Sequence, residues 1–162
     1  MKPLSVVVTI DAPASVVWSV LTDLEGTAAL LQGVQGIERL SADTGYQVGT
    51  RWRETRVMFG QEASEEMTVV EVEPERRTVL HAQSHGMKYV SGFELRPVRD
   101  ELGEPGQTQL VMRFEGEAVE HGLLQRFLTA ATGPLGAAAS KKAMRQDLKD
   151  IAAEAERRAA QR

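Results

Sequence analysis

Residues 134–159, PLGAAASKKAMRQDLKDIAAEAERRA, carry the pattern on which the fold turns. Leu135, Ala139, Met144, Leu148, Ile151 and Ala155 recur at helical spacing and form one apolar stripe on an otherwise charged segment. As a helix the stretch is about 39 Å long, at about 1.5 Å per residue. A helix of that length with one apolar face requires a broad apolar surface to lie on. The spacing therefore predicts a sheet beneath it.

Upstream the chain supplies that sheet. Strand-like runs over 34–41, 48–59, 62–73, 77–84, 88–98 and 107–118 are separated by turn residues: Asp43-Thr44-Gly45, Gly60-Gln61, Pro74-Glu75, His85-Gly86 and the polar loop 99–106. Each reversal has a residue suited to it, which predicts an antiparallel meander. Leu4–Asp11 reads as a first strand. Pro13 suits the first turn of a helix, and Val16, Val17, Val20, Leu21 and Leu24 repeat at helical spacing, with Gly26 ending that helix. Thr27–Gln32 forms a second short helix. Leu123, Leu124, Phe127, Leu128 and Ala131 make another helical face before Gly133-Pro134 interrupts it. The class is α+β, with 162 residues in one domain.

Composition narrows function. There is no cysteine, which excludes thiol nucleophiles, Cys-based zinc sites and disulfide frameworks. A net charge of −4 argues against a nucleic-acid partner. The charge is uneven: residues 141–162 carry +3 and residues 1–140 carry −7. The basic segment reads as the solvated face of the long helix, or alternatively as a docking surface for an acidic partner or membrane. No apolar signal core follows Lys2, and no run approaches the ~20 apolar residues needed for a membrane span. The expectations are a cytoplasmic location and no stable membrane insertion. Oligomeric state is left open.

The order strand, two short helices, six strands, long helix resembles the helix-grip fold of the START-like (SRPBCC) superfamily. The resemblance rests on Ile10-Asp11-Ala12-Pro13 with Val16-Val17-Trp18 and Leu21-Thr22-Asp23, then Val48-Gly49-Thr50-Arg51-Trp52. It continues through 70–77, VEVEPERR, through 93–98, FELRPV, and through Asp147-Leu148-Lys149. It implies a seven-stranded curved antiparallel sheet wrapped around the C-terminal helix, forming one ligand-binding domain over 1–162. It also implies an apolar or amphipathic ligand (lipid, isoprenoid or polyketide-like) between sheet and helix, held by a carrier or sensor. The same fold hosts polyketide cyclases and aromatases, so an enzyme is the alternative, and a partner- or membrane-docking module the second.

Strand alternation proposes the lining. A two-residue reversal at Gly60-Gln61 would set Phe59 opposite Glu62, Arg56 opposite Glu65, Glu54 opposite Met67 and Trp52 opposite Val69. One face then carries Trp52, Glu54, Arg56, Met58, Ala63, Glu65, Met67 and Val69, and its larger apolar side chains place it inside. Leu80 and Ala82, then Tyr89, Phe93 and Leu95, then Leu110, Met112 and Phe114 face the same way. Leu124, Phe127 and Leu128 would cover the mouth. Glu54, Arg56 and Glu65 are the polar members. They read as a wet rim group, as an anchor for a ligand carboxylate, hydroxyl or ketone, or as an acid/base set. Glu54 and Tyr89 are the candidates for catalysis, with Arg56 beside them.

His81 alternates with Leu80 and Ala82 and points outward, while His85 and His121 fall in connections. The three share no metal-ligand spacing, so no metal and no cofactor are expected. No phosphate-binding glycine loop and no G-x-S-x-G elbow occurs.

Overall fold

The computed structural model describes residues 2–58, 60–84, 87–99, 103, 105–118 and 134–162. Among these, seven strands and three helices follow one another as β1 (Leu4–Ile10), α1 (Ala14–Leu21), α2 (Leu24–Leu30), β2 (Val34–Arg39), β3 (Arg51–Met58), β4 (Gln61–Glu73), β5 (Arg77–Ser84), β6 (Met87–Arg99), β7 (Pro105–Ala118) and α3 (Pro134–Ala160). The helix expected over 123–131 lies outside the described residues.

The strands form one antiparallel sheet in the order β1-β7-β6-β5-β4-β3-β2. β2 to β7 are a meander, and β1 closes the far edge against β7, with Leu4 opposite Phe114 and Ile10 opposite Thr108. Register shifts between Val34 and Gly36, between Val69 and Glu71, and between Val98 and Arg99 interrupt the ladders. Such bulges raise the local twist and bend a sheet. The result is the helix-grip architecture: a curved sheet around a long C-terminal helix, with two short helices between the first two strands.

The apolar stripe of α3 enters the core as its spacing predicts. Met144, Leu148, Ile151 and Ala155 are buried with Val16, Val17 and Val20 of α1 and with Ile10 and Leu110 of the sheet. Each of the larger side chains among them contributes roughly 1.5–3 kcal/mol by leaving water. Polar contacts fasten the outer side of α3. Asp150 accepts from Gln32 N at 3.0 Å, and Arg158 bridges Glu154 at 2.7 Å and Asp23 at 3.1 Å. Arg157 also meets Glu154, at 2.7 Å, so these two C-terminal cations lie in local ion pairs. No helix among the described residues is long and apolar enough to cross a membrane.

Two local expectations need correction. Gly26 does not end α1. That helix stops at Leu21, and Asp23 caps α2 by accepting from Gly26 N at 3.0 Å, so Gly26 lies in the first turn of the second helix. A carboxylate at an N-cap satisfies an orphan amide, and that signal outranks the glycine. The β3–β4 register also differs. The ladder closes with Met58 opposite Gln61, so Arg56 faces Ala63, Glu54 faces Glu65 and Trp52 faces Met67. Gly60 has φ of 76°, so its left-handed freedom serves the second loop position and not the first. The slip is two residues, an even number, and every side chain keeps its expected face.

Candidate functional site

Between the concave face of the sheet and the three helices lies a cavity of about 250 Å³. This is slightly below the ~300–1,000 Å³ typical of small-molecule sites. Trp52, Glu54 and Arg56 of β3 reach it, with Met67 of β4 and Leu80 of β5. Tyr89 and Phe93 of β6 and Met112 and Phe114 of β7 also line it from the sheet side. All nine were expected there from strand alternation.

Val69 and Leu95 were expected in the lining as well, and the structure places them elsewhere. Both are inward but sealed into the core. Val69 is fully buried in a cluster with Leu24, Trp52 and Leu80, and Leu95 packs in the main core with Leu110. Alternation fixes a face but not a depth, and these two positions lie where other side chains fill the space. Leu124, Phe127 and Leu128 lie outside the described residues.

The helical wall carries residues that the strand argument does not reach. Leu21, Leu24, Leu30 and Leu31 line the cavity from the α1–α2 side. Gly136, Ser140 and Ala143 do so from α3, and their small side chains leave the space open. Asp147 follows one turn later. It sits between Met144, Leu148 and Ile151, on the buried face of the helix. An acid interrupting an apolar stripe is a legible signal, and it marks the most informative group in the site.

Asp147 meets the expected polar pair. Arg56 Nη1 lies 2.9 Å from Asp147 Oδ2, and Arg56 Nε donates to Glu54 Oε1 on the same strand. Trp52 Nε1 donates to the other Glu54 oxygen at 3.3 Å. The three side chains are 24% (Arg56), 13% (Glu54) and 9% (Asp147) exposed. The cross-strand Arg56–Glu65 pair does not form, because the register sets Ala63 opposite Arg56. Gly33 permits the close approach: a Cβ there would lie 3.3 Å from Arg56 Nη1.

Burial pushes the Asp147 carboxyl up to about 6, against the opposing pull of the Arg56 charge, and Glu54 adds to the rise. Burial works against the Arg56 charge too, but Glu54 and Asp147 outweigh it and hold the guanidinium above its ordinary value. Burial, with Glu65 nearby, raises the Tyr89 phenol, whose ring stacks on Phe114 at a centroid distance of 5.5 Å. Tyr46 also lines the cavity; burial pushes its phenol up to about 12, although its hydroxyl is 2.9 Å from Thr78 Oγ1. Chemically the site offers an apolar space, a fixed guanidinium with two carboxylates, and one carboxyl that titrates near neutrality. Among the described residues no group of three or more His, Cys, Asp or Glu side chains is arranged to hold a metal.

Comparison with known proteins agrees with this architecture. The Zhui aromatase/cyclase of Streptomyces sp. R1128 superposes with a TM-score of 0.76 at 22% identity, over 97% of this chain and 94% of its own. TTHA0849 of Thermus thermophilus gives 0.74 at 18% identity, over 95% and 97%. A START superfamily protein of Mycobacterium smegmatis gives 0.67 at 19% identity, over 98% and 97%. At these identities the likeness is one of fold. No protein of curated function matches the sequence. The family model described as polyketide cyclase / dehydrase and lipid transport matches residues 1–156, and the chain, with its START-like helix-grip fold, belongs to that family.

Proposed function

We propose that residues 1–162 act as a single ligand-binding domain, a cytoplasmic carrier or sensor for an apolar or amphipathic small molecule. One observation carries this reading: a cavity of about 250 Å³ kept open between sheet and helix, with aromatic and aliphatic walls and a few placed polar groups. Ligand sites are concave and mostly apolar with a few placed polar groups, and this cavity has that make-up. Native mass spectrometry of the purified protein, followed by solvent extraction, tests it. The expected result is a stoichiometric lipid, isoprenoid or polyketide-like molecule. A clean protein mass, together with no uptake from a panel of hydrophobic ligands, would overturn it.

A second reading, an enzyme of the cyclase or aromatase type, is favoured by Asp147. A carboxyl titrating at about 6 beside a guanidinium can hold or release a proton at neutral pH. Glu54 and Tyr89 then remain the sequence-derived candidates, with Asp147 added as the stronger one. Glu54→Gln or Asp147→Asn is expected to abolish turnover of an extracted polyketide-like ligand while leaving its binding intact. Turnover at the wild-type rate in both variants would remove these two carboxyls from the chemistry, and no turnover by the wild-type protein would remove the enzyme reading.

A further inference from the structure

Cations and anions are matched over much of the surface. On the outer face of the sheet Arg51 and Arg53 bridge Glu66, and Arg96 bridges Glu94. Near the end of α3, Arg157 and Arg158 bridge Glu154. The first half of that helix differs. Among the described residues, Lys141, Lys142, Arg145 and Lys149 have no ion-pair or hydrogen-bond partner for their side chains. Lys142, Arg145 and Lys149 are exposed and share one face, at i, i+3 and i+7, with Lys141 half-buried beside them. The acids of this stretch are engaged elsewhere: Asp147 is buried against Arg56, and Asp150 accepts from Gln32 and Gln146. Helix stability does not account for the four cations. Lys141 with Arg145, and Arg145 with Lys149, are like charges at i,i+4, which weaken a helix. The macrodipole favours cations only in the last turn, and α3 runs on to Ala160.

We propose that this stripe of α3 is a docking surface for an anionic lipid bilayer, to which the protein attaches peripherally. Each Lys or Arg held at an anionic leaflet strengthens attachment by roughly fivefold. The acidic remainder, −7 over residues 1–140, does not prevent it, because at about 0.1 M ionic strength charges farther than about 10 Å are screened and the local stripe decides the contact. An acidic protein fits the stripe less well. Stable protein interfaces centre on desolvated aromatic or apolar anchors, and none of the exposed large hydrophobic side chains among the described residues lies on α3. Three of the four cations are lysines, point charges on flexible stems that suit a fluid array of headgroups, whereas the rigid fork of arginine serves fixed carboxylates. On other faces of the same turns Ser140, Ala143 and Asp147 line the cavity. Docking would bring that wall within about one helix diameter, roughly 10–12 Å, of the headgroups. The inference holds whether or not the cavity takes a ligand.

The test is co-sedimentation of the full chain with vesicles of phosphatidylcholine alone, or of phosphatidylcholine with about 30 mol% phosphatidylglycerol, at about 0.1 M salt. The expected result is binding to the anionic vesicles at least about tenfold stronger than to the neutral ones, with release at about 1 M salt, where the Debye length is about 3 Å. Equal binding to both vesicles, or binding to neither, overturns the inference; capture of polyglutamate in place of the anionic vesicles would give the stripe to an acidic protein. The variant Lys142→Gln/Arg145→Gln/Lys149→Gln keeps good helix formers at exposed positions and should bind anionic vesicles at least about tenfold more weakly. Lys88→Gln/Arg99→Gln/Arg162→Gln removes the same charge at other exposed positions and should bind as wild type does. An equal loss in both variants would show that net charge governs attachment, and would overturn the assignment to α3. So would a folded stripe variant that binds like wild type. If the triple stripe variant does not fold, Lys142→Gln/Lys149→Gln must weaken binding, and unchanged binding counts against the inference in the same way.

Discussion

Replacing Arg56 with methionine will destabilise the protein by about 3–5 kcal/mol at pH 8, the range found when one partner of a buried ion pair is removed. Methionine keeps much of the volume but no charge. Glu54 and Asp147 are then left facing one another with side-chain exposures of only 13% and 9%. Two carboxylates that share a poorly hydrated space cannot both stay ionised without strong mutual repulsion. The sign of the pH dependence follows. Asp147 already titrates at about 6 with the guanidinium in place, and Arg56 pulls that value down. Without Arg56 it moves higher, and protonation at pH 5 relieves the repulsion. The deficit of Arg56→Met should therefore be large at pH 8 and mostly recovered at pH 5. Urea midpoints of variant and wild type at the two pH values measure this. A deficit below about 1 kcal/mol at pH 8, the range of exposed ion pairs, would mean that water reaches the trio. An equal deficit at both pH values would show that the loss comes from packing around the arginine stem.

Several features of this site are legible in the sequence, and the reason differs for each. The helix over 134–160 is set by a repeating apolar stripe that no other element could bury. The faces of β3 and β4 follow from alternation, and they survive a register error of two because the pleat has a period of two. The pairing itself depends on which loop position Gly60 occupies, and that is a backbone choice which the residue type leaves open. Depth is not legible. Val69 and Leu95 alternate inward like Met67 and Phe93, yet packing with residues distant in sequence seals them into the core. The meeting of Arg56 with Asp147 is hidden for the same reason, because strand periodicity cannot say which turn of α3 lies over which strand. Asp147 itself is visible as an acid on the apolar stripe, between Met144 and Ile151. A buried carboxylate in such a stripe needs a cationic partner. Arg56 is the basic residue on the inward face of β3.

Asp147→Asn should make the protein more stable at pH 8 and leave it unchanged at pH 4. The folded-state pKa of Asp147, about 6, lies above its ordinary 3.8, so between these values the folded chain binds the proton more tightly than the unfolded chain. Stability from this group is fully present below pH 3.8 and is lost as pH rises through 6, by about 3 kcal/mol in all. Asparagine mimics the protonated acid in shape and hydrogen bonding and does not titrate. Variant and wild type should match at pH 4 and diverge to about 3 kcal/mol in favour of the variant at pH 8. Surface carboxylates act in the opposite sense: hydrogen bonds from Arg53 to Glu66, from Arg96 to Glu94, and from Arg157 and Arg158 to Glu154 lower all three. They are common to both proteins, so the difference between the two curves isolates Asp147. Chemical denaturation across pH 4–8 supplies those curves. A variant that loses stability relative to wild type as pH rises from 4 to 8 would show that the Arg56 ion pair outweighs the burial of the carboxylate, and that the carboxyl is not raised above 3.8. A gain of that size would mean that burying the carboxylate costs the fold more than its pairing with Arg56 returns.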